Sequence, residues 1–268
     1  MKRIIILVFL AGGLLVSCKK AEEKRYDSHD NIYLDFGVSD RDSMLYTFAN
    51  DPSKGKDTVF VPVRISGIRS TVDRKFILKV LPDSSTAVAN KHYQPLADFY
   101  LMPKNTGFVY VPIVILNTDP LLEEKSVSLR FKLFSTEDFD VNIPKIIDGK
   151  LVFSNKLERP GWWGMWFGGY YSRVKHQFFL LTSGLEALST EGLDAPKNLY
   201  FVSLVNSFLD DPAKWISKNP SKGYVLQQLP DGDYEFYNIG NAAKKVRYHK
   251  NVQANKFFFI DENGAEVN

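Results

Sequence analysis

The chain has 268 residues, 44% of them hydrophobic and 24% charged, with 34 basic and 31 acidic side chains for a formal net charge of +3. That length can hold one large or two modest cores, and the composition is that of a folded chain rather than a disordered one. The near balance of charge leaves no basic footprint for nucleic acid, and a single cysteine excludes intrachain disulfides and Cys-based zinc sites.

Met1-Lys2-Arg3 forms a short positive start, and the apolar run from Ile4 to Val16 that follows is short for a membrane span. Residues 1–17 therefore read as a signal peptide. Its end, Leu15-Val16-Ser17-Cys18, resembles the bacterial lipobox, which implies that Cys18 becomes the first mature residue and carries acyl chains. Several chains together hold a protein on a bilayer far more firmly than one. Residues 18–29 read as the lipidated cysteine and a flexible tether, because Lys19-Lys20-Ala21-Glu22-Glu23-Lys24-Arg25 is polar and lacks apolar periodicity. A charged, acid-containing stretch behind the cysteine is similar to the surface-export signal of Bacteroidetes lipoproteins, although a plain solvated linker has the same composition. The expected location is the outer membrane, lipid-anchored and facing outward.

From Asn31 to about Phe139 the apolar residues alternate with period two. Ile32, Leu34 and Phe36 begin the pattern, and Val59–Ile65, Phe76–Val80, Phe108–Leu116 and Val127–Phe134 continue it. Turn signals at Asn50-Asp51-Pro52, Ser66-Gly67, Leu81-Pro82-Asp83 and Lys104-Asn105-Thr106-Gly107 separate the runs. Strands at this spacing, with no long helical pattern between them, predict an antiparallel β-sandwich over residues 30–150. Pro62 and Pro112 fall inside strand runs, where proline loses a ladder hydrogen bond, so edge strands or bulges are expected there.

His92-Tyr93-Gln94-Pro95-Leu96, Phe99, Gly107, Val111-Pro112-Ile113-Val114-Ile115, Asp119-Pro120-Leu121 and Glu123-Glu124-Lys125-Ser126 resemble a Calx-β type immunoglobulin-like domain. More closely, Val61-Pro62-Val63-Arg64-Ile65-Ser66-Gly67, Asp73-Arg74 and His92-Tyr93 are similar to the domain-of-unknown-function 4843 family of Bacteroidetes lipoproteins. That resemblance implies an accessory surface lipoprotein working beside a SusC-like transporter and its SusD-like partner. Calx-β modules can bind calcium through acidic loops. Asp119, Glu123 and Glu124 lie in such a loop but are too few for the six to eight oxygens calcium takes.

After Pro144 and Asp148-Gly149 the alternation fades, so residues 151–268 are expected to form a smaller, helix-containing α+β domain. Helical spacing runs from Tyr170 to Leu188 through Tyr170, Val174, Phe178 and Leu181. A second apolar stretch spans Asn198–Phe208, and Pro212 starts a third helix capped by Asp210 or Asp211. Lys256–Ile260 reads as a strand entering a turn at Asp261–Gly264. Trp162, Trp163 and Trp166 lie within five residues and are joined by Phe167, Tyr170 and Tyr171. Flat rings of this kind stack on sugar faces and peptide side chains. Trp162, Trp166 and Tyr170 also fall on one helical stripe, and the neighbouring glycines favour packing against the first domain.

Catalytic and metal constellations are not assembled. His29, His92, His176 and His249 are far apart and form no ligand pair. Asp231-Gly232-Asp233-Tyr234-Glu235 is a turn lacking EF-hand spacing. Ser172-Arg173-Val174-Lys175 has the Ser-x-x-Lys form but lacks the companion motifs of penicillin-recognising enzymes, and no nucleotide fingerprint is present. The expected function is non-catalytic and needs neither metal nor cofactor: an accessory or binding subunit for uptake of an oligosaccharide or peptide. A surface adhesin acting through its immunoglobulin-like domain is the alternative, and a surface hydrolase, whose carboxylates would meet only in the fold, is a third.

Overall fold

Alternation in the first half becomes eight strands: β1 (Asn31–Leu34), β2 (Ser43–Thr47), β3 (Lys56–Ser66), β4 (Arg74–Val80), β5 (Tyr100–Met102), β6 (Phe108–Leu116), β7 (Val127–Phe134) and β8 (Asp148–Ser154). The computed structural model describes residues 29–37 and 43–268. The signal peptide, Cys18 and the tether up to residue 28 lie outside the described residues, among which no helix is long and apolar enough to cross a membrane.

The strands form two sheets, ordered β1-β3-β6 and β2-β8-β7-β4-β5. Their facing sides carry the alternate residues that the period-two pattern selects. Val59, Val61, Val63 and Ile65 of β3 meet Val111, Ile113 and Ile115 of β6, Leu129, Phe131 and Leu133 of β7, and Leu151 and Phe153 of β8 in one buried core. This is an immunoglobulin-like, Calx-β-like sandwich, with one departure from a wholly antiparallel plan. β2 runs parallel to β8, Ser43 opposite Lys150, because the N-terminal stretch pairs first with β3 in one sheet and then adds to the edge of the other.

Both strand prolines avoid the ladder, only one of them by sitting on an edge strand. The Pro62 carbonyl accepts from Asp35 N–H, so Pro62 faces the β1 side just past the end of β1. β3 is therefore central, and its proline costs no bond to β6. Pro112 lies on β6, the edge strand of that sheet, two residues along from Tyr110, the partner of Pro62. That parity turns the missing donor of Pro112 away from β3.

β8 runs through residue 150, pairs with β7 and β2 and buries Leu151 and Phe153 in the sandwich core. The expected boundary at residue 150 therefore moves to the segment after Ser154. The second unit holds α1 (Trp163–Trp166), α2 (Arg173–Ser183), α3 (Ala195–Asp210) and α4 (Pro212–Lys218). These helices are followed by the antiparallel meander β9 (Tyr224–Gln228), β10 (Tyr234–Asn238), β11 (Lys245–Asn251) and β12 (Lys256–Phe259). α2 and α3 contribute Phe178 and Phe208 to a ring cluster with Phe236 and Phe259 of the sheet, at centroid separations of 4.6 to 5.8 Å. Such contacts add to the area that each ring removes from water.

The helix expected from Tyr170 to Leu188 forms as α2 but is shorter at both ends, and the tryptophan segment before it is not continuous with it. α1 lasts one turn and ends before Gly168, whose φ of +84° is left-handed, and the chain resumes helix only after Ser172. Trp162, Trp166 and Tyr170 therefore do not share a helical stripe. Ser172 Oγ accepts from Lys175 N–H at 3.1 Å, which explains the Ser-x-x-Lys pattern as a helix cap. Asp211 caps α4 in the same way, accepting from Lys214 N–H.

The two units meet at a seam of backbone against backbone. A Cβ on Gly55 would stand 2.5 Å from the carbonyl oxygen of Gly240. Beside it, Asn241 Nδ2 donates to the carbonyls of Pro52 at 3.3 Å and Lys54 at 3.4 Å, and Asn117 Nδ2 also donates to Lys54 O.

Candidate functional site

Beside that seam lies a cleft of about 450 Å³, within the range that small ligands occupy. The α2 face repeating at helical spacing supplies Val174, Phe178 and Leu181, while the meander supplies Tyr224, Phe236 and Val246. Pro52, Pro120 and Glu123 of the sandwich close the opposite wall. Helix α2 is fixed at both ends, by the Ser172 cap and by Gly184 in the left-handed conformation at φ +68°. Gln177, on the same helix, faces the cleft with no hydrogen-bond partner for its amide among the described residues.

Glu123 is the polar centre of the wall. A short 3-10 turn, Pro120–Glu123, presents it, and Asp119 caps that turn by accepting from Leu121 N–H. Asp119 is itself buried and held by Lys91 Nζ and His92 Nε2, each at 2.8 Å. Lys91, and after it His92, hold the Asp119 carboxyl down at about 2 against the opposing effect of burial. Val88 N–H donates to His92 Nδ1 at 2.9 Å, so that nitrogen is an acceptor and the ring proton sits on Nε2, donated to Asp119.

From Glu123 a chain of alternating charge crosses to the second unit. Lys244 Nζ donates to its carboxylate at 2.9 Å, and Arg173 donates to its backbone carbonyl at 2.9 Å. Glu262 then receives Arg173 N–H at 2.6 Å and Val174 N–H at 3.3 Å, placing a carboxylate at the amino end of α2 where the free amides favour it. Burial pulls the Lys244 ammonium below its usual range, and Glu123 opposes that shift. Asp261 accepts from the Tyr170 hydroxyl at 2.6 Å and from the amides of Asn263 and Ala265. Burial raises its pKa, but these donors outweigh it and the net shift is downward.

The tryptophan cluster does not face the cleft. Trp163 is 0% exposed and Trp162 is buried, and they pack around His176, Phe167 and Phe179 in the second core. Trp163 Nε1 donates to Tyr170 O and the half-buried Trp166 donates to Ser189 O, so both indole N–H groups are satisfied inside the fold. Tyr170 is 57% exposed and acts as a strut onto Asp261. Burial drives the His176 imidazole from 6.5 down to about 4.

The acidic loops are likewise occupied by protein partners. Asp119 and Glu123 are matched by Lys91, His92, Lys244 and Arg173. Asp233, buried at the β9–β10 turn, accepts from Arg247, His249 and Lys250 N of β11. Among the described residues no group of three or more His, Cys, Asp or Glu side chains could hold a metal ion. Of the cleft residues, the sequence singled out Glu123 only as a weak calcium candidate, and it gave no reason to join Arg173, Lys244 and Glu262 to it. The one local signal was the acid at the end of a Pro-led turn.

Every carboxylate of the cleft already accepts from protein donors. The cleft has an apolar floor, one unpartnered amide and a rim whose opposite charges cancel.

None of the curated proteins matches this chain. Among solved structures, the Calx CBD1 domain is similar at 15% identity and a TM-score of 0.36, covering 47% of this chain and 97% of that one. A Bacteroides ovatus protein of unknown function is 18% identical over 46% of this chain and 43% of its own, with a TM-score of 0.35. A candidate carbohydrate-binding protein from Bacteroides ovatus is 11% identical over 48% of this chain and 38% of its own, with a TM-score of 0.36. The family described as Domain of unknown function (DUF4843) matches residues 26–185, from just before β1 through the sandwich, the tryptophan turn and α2. That match takes in more than half of the chain, which therefore belongs to the DUF4843 family.

Proposed function

We propose that this protein is a lipid-anchored surface lipoprotein of the outer membrane, held by Cys18. In this reading it is a non-catalytic binding subunit that takes a neutral oligosaccharide or peptide into the cleft between its two units, for uptake by a SusC/SusD-like system. The cleft is the observation that carries the reading. Its floor of Phe178, Phe236, Tyr224 and Val246 offers apolar contact, Gln177 offers both a donor and an acceptor, and the paired rim favours a ligand without net charge.

Topology supports the same reading. β3 runs from Lys56, beside the seam, to Ser66, which pairs with Asn31 where the chain from Cys18 arrives. Its 11 residues span roughly 35 Å, so the sandwich is a spacer that holds the cleft away from the anchored pole.

Titration calorimetry with neutral oligosaccharides and short peptides tests the site. Gln177→Trp fills the cleft and is expected to abolish binding, and undiminished binding in that variant removes the cleft from the reading. Recovery of a transporter and its lid lipoprotein with the C-terminally tagged protein, from gently solubilised native membrane, tests the uptake role. Recovery of the protein alone moves adhesion ahead. Adhesion draws on a separate feature: Phe60 and Tyr110 stand exposed on the outer face of the β1-β3-β6 sheet, 6.3 Å apart and flanked by Pro62 and Pro112.

A further inference from the structure

At the pole of the sandwich opposite the cleft, the loop 67–73 holds two apolar side chains out in solvent: Ile68 is 76% exposed and Val72 is 64% exposed. Their exposure is not that of a slack loop. Asp30 Oδ1 accepts from Ile68 N–H at 3.0 Å, Asp30 Oδ2 receives Arg74 Nη1 at 2.6 Å, and Arg74 Nη2 donates to Ile68 O at 3.2 Å. Arg74 also stacks on Phe139, with its guanidinium carbon 4.3 Å from the ring centre. Gly67, at φ +151°, leaves the space that the Asp30 carboxylate fills, since a Cβ there would overlap it. The neighbouring loop braces this one, with Asn105 N–H donating to Ser70 O at 2.7 Å and Lys104 N–H donating to Asp73 at 2.8 Å.

Asp30, which orders this loop, is also where the chain from Cys18 joins the fold. The twelve peptide steps from Cys18 to Asp30 reach at most about 40 Å, so an anchored Cys18 keeps this pole near the bilayer. We infer that the loop 67–73 rests on the lipid surface that carries the anchor, with Ile68 and Val72 entering the headgroup region. The occupant is a phospholipid interface rather than a protein. This inference rests on the anchored reading of Cys18.

Charge does not drive the contact. Arg69, Lys75 and Lys104 make no ion pair among the described residues, but Asp73, Asp138 and Glu137 lie at the same pole and nearly balance them. A nearly neutral, apolar-tipped pole suits a zwitterionic surface and predicts docking that survives high salt.

The test couples the mature chain through Cys18, its only cysteine, to a maleimide lipid in phosphatidylcholine vesicles, with Ile68→Trp as the reporter. The four native tryptophans all lie between Trp162 and Trp215 in the second unit, so the parent chain serves as the distal control. Brominated phosphatidylcholine is expected to quench at least half of the emission added by Ile68→Trp, equally at low and at 0.5 M salt, and to leave the parent unquenched. Ile68→Trp combined with Val72→Asp should lose most of that quenching. Unquenched added emission overturns the inference. So does protection that arises only in native membrane and not in protein-free vesicles, because it assigns the pole to a protein. Chemical coupling makes this result independent of whether cells acylate Cys18. That separate question is answered by fatty-acid labelling of the wild type against Cys18→Ala.

Discussion

Gly55→Ala isolates the seam between the units. Gly55 lies in neither core, and its backbone is not in the left-handed region, so alanine is sterically allowed apart from one contact. The new Cβ would stand 2.5 Å from Gly240 O, where ordinary contact begins at 3.4 Å, and the opposing atom is backbone that has no rotamer to yield. The units must part by nearly 1 Å. The Asn241 bonds to Pro52 O and Lys54 O, already 3.3 and 3.4 Å, would then fail. Overpacking of this kind costs about 1–3 kcal/mol. Against it stands a gain of about 0.4–1 kcal/mol, because alanine narrows the unfolded ensemble. The expected net effect is a loss of between about 0 and about 2.6 kcal/mol. It would be read as a lower urea midpoint by both far-ultraviolet dichroism, which follows the sandwich and the helices, and tryptophan fluorescence, which follows the second unit alone. A midpoint that rises, or fluorescence that stays at wild type while the dichroism moves, would refute a rigid seam.

Three further outcomes follow from the cores and the buried titrating groups. His176 is buried and neutral, with its imidazole lowered to about 4, so the unfolded chain binds the extra proton between pH 6.5 and 4. Stability is complete above pH 6.5 and falls as the pH drops toward 4, by on the order of 3 kcal/mol, and His176→Phe should flatten that limb in urea titrations. Asp119, held at about 2, acts in the same direction at lower pH. Its contribution is complete above about pH 4 and is lost as the pH falls through 2, so Asp119→Asn should weaken the protein at pH 6 and remove part of the acid slope between 4 and 2. Trp163→Ala should cost about 3–5 kcal/mol, as removal of a fully buried ring does, while Trp166→Ala costs distinctly less. Equal and negligible losses in thermal unfolding would show that the cluster is not core.

What the amino-acid sequence determined by itself is what local physics writes into short windows. Alternation of period two selects the inward residues of β3, β6 and β7, because successive strand side chains point to opposite faces. Pro212 after Asp211, and Lys256–Phe259 before the turn at Gly264, carry their own start and stop signals. Other elements left little trace. β9 is five residues long with no buried position, and β5 is three residues long, so neither shows a readable alternation. Trp162, Trp166 and Tyr170 read as one helical stripe because apolar spacing continues across a break that Gly168 imposes through its backbone angle.

Tertiary structure alone decided the rest. The sign of the tryptophan cluster, core rather than platform, depends on which face α3 and the meander cover, and composition does not encode that choice. The parallel pairing of β2 with β8 joins strands about a hundred residues apart. Most plainly, Glu123 finds Lys244 across 121 residues, and their attraction needs no sequence pattern, only two folded units brought to one seam. Burial and long-range charge pairing are properties of where the chain returns to itself, so the strands were legible in the sequence and the cleft between the two units was not.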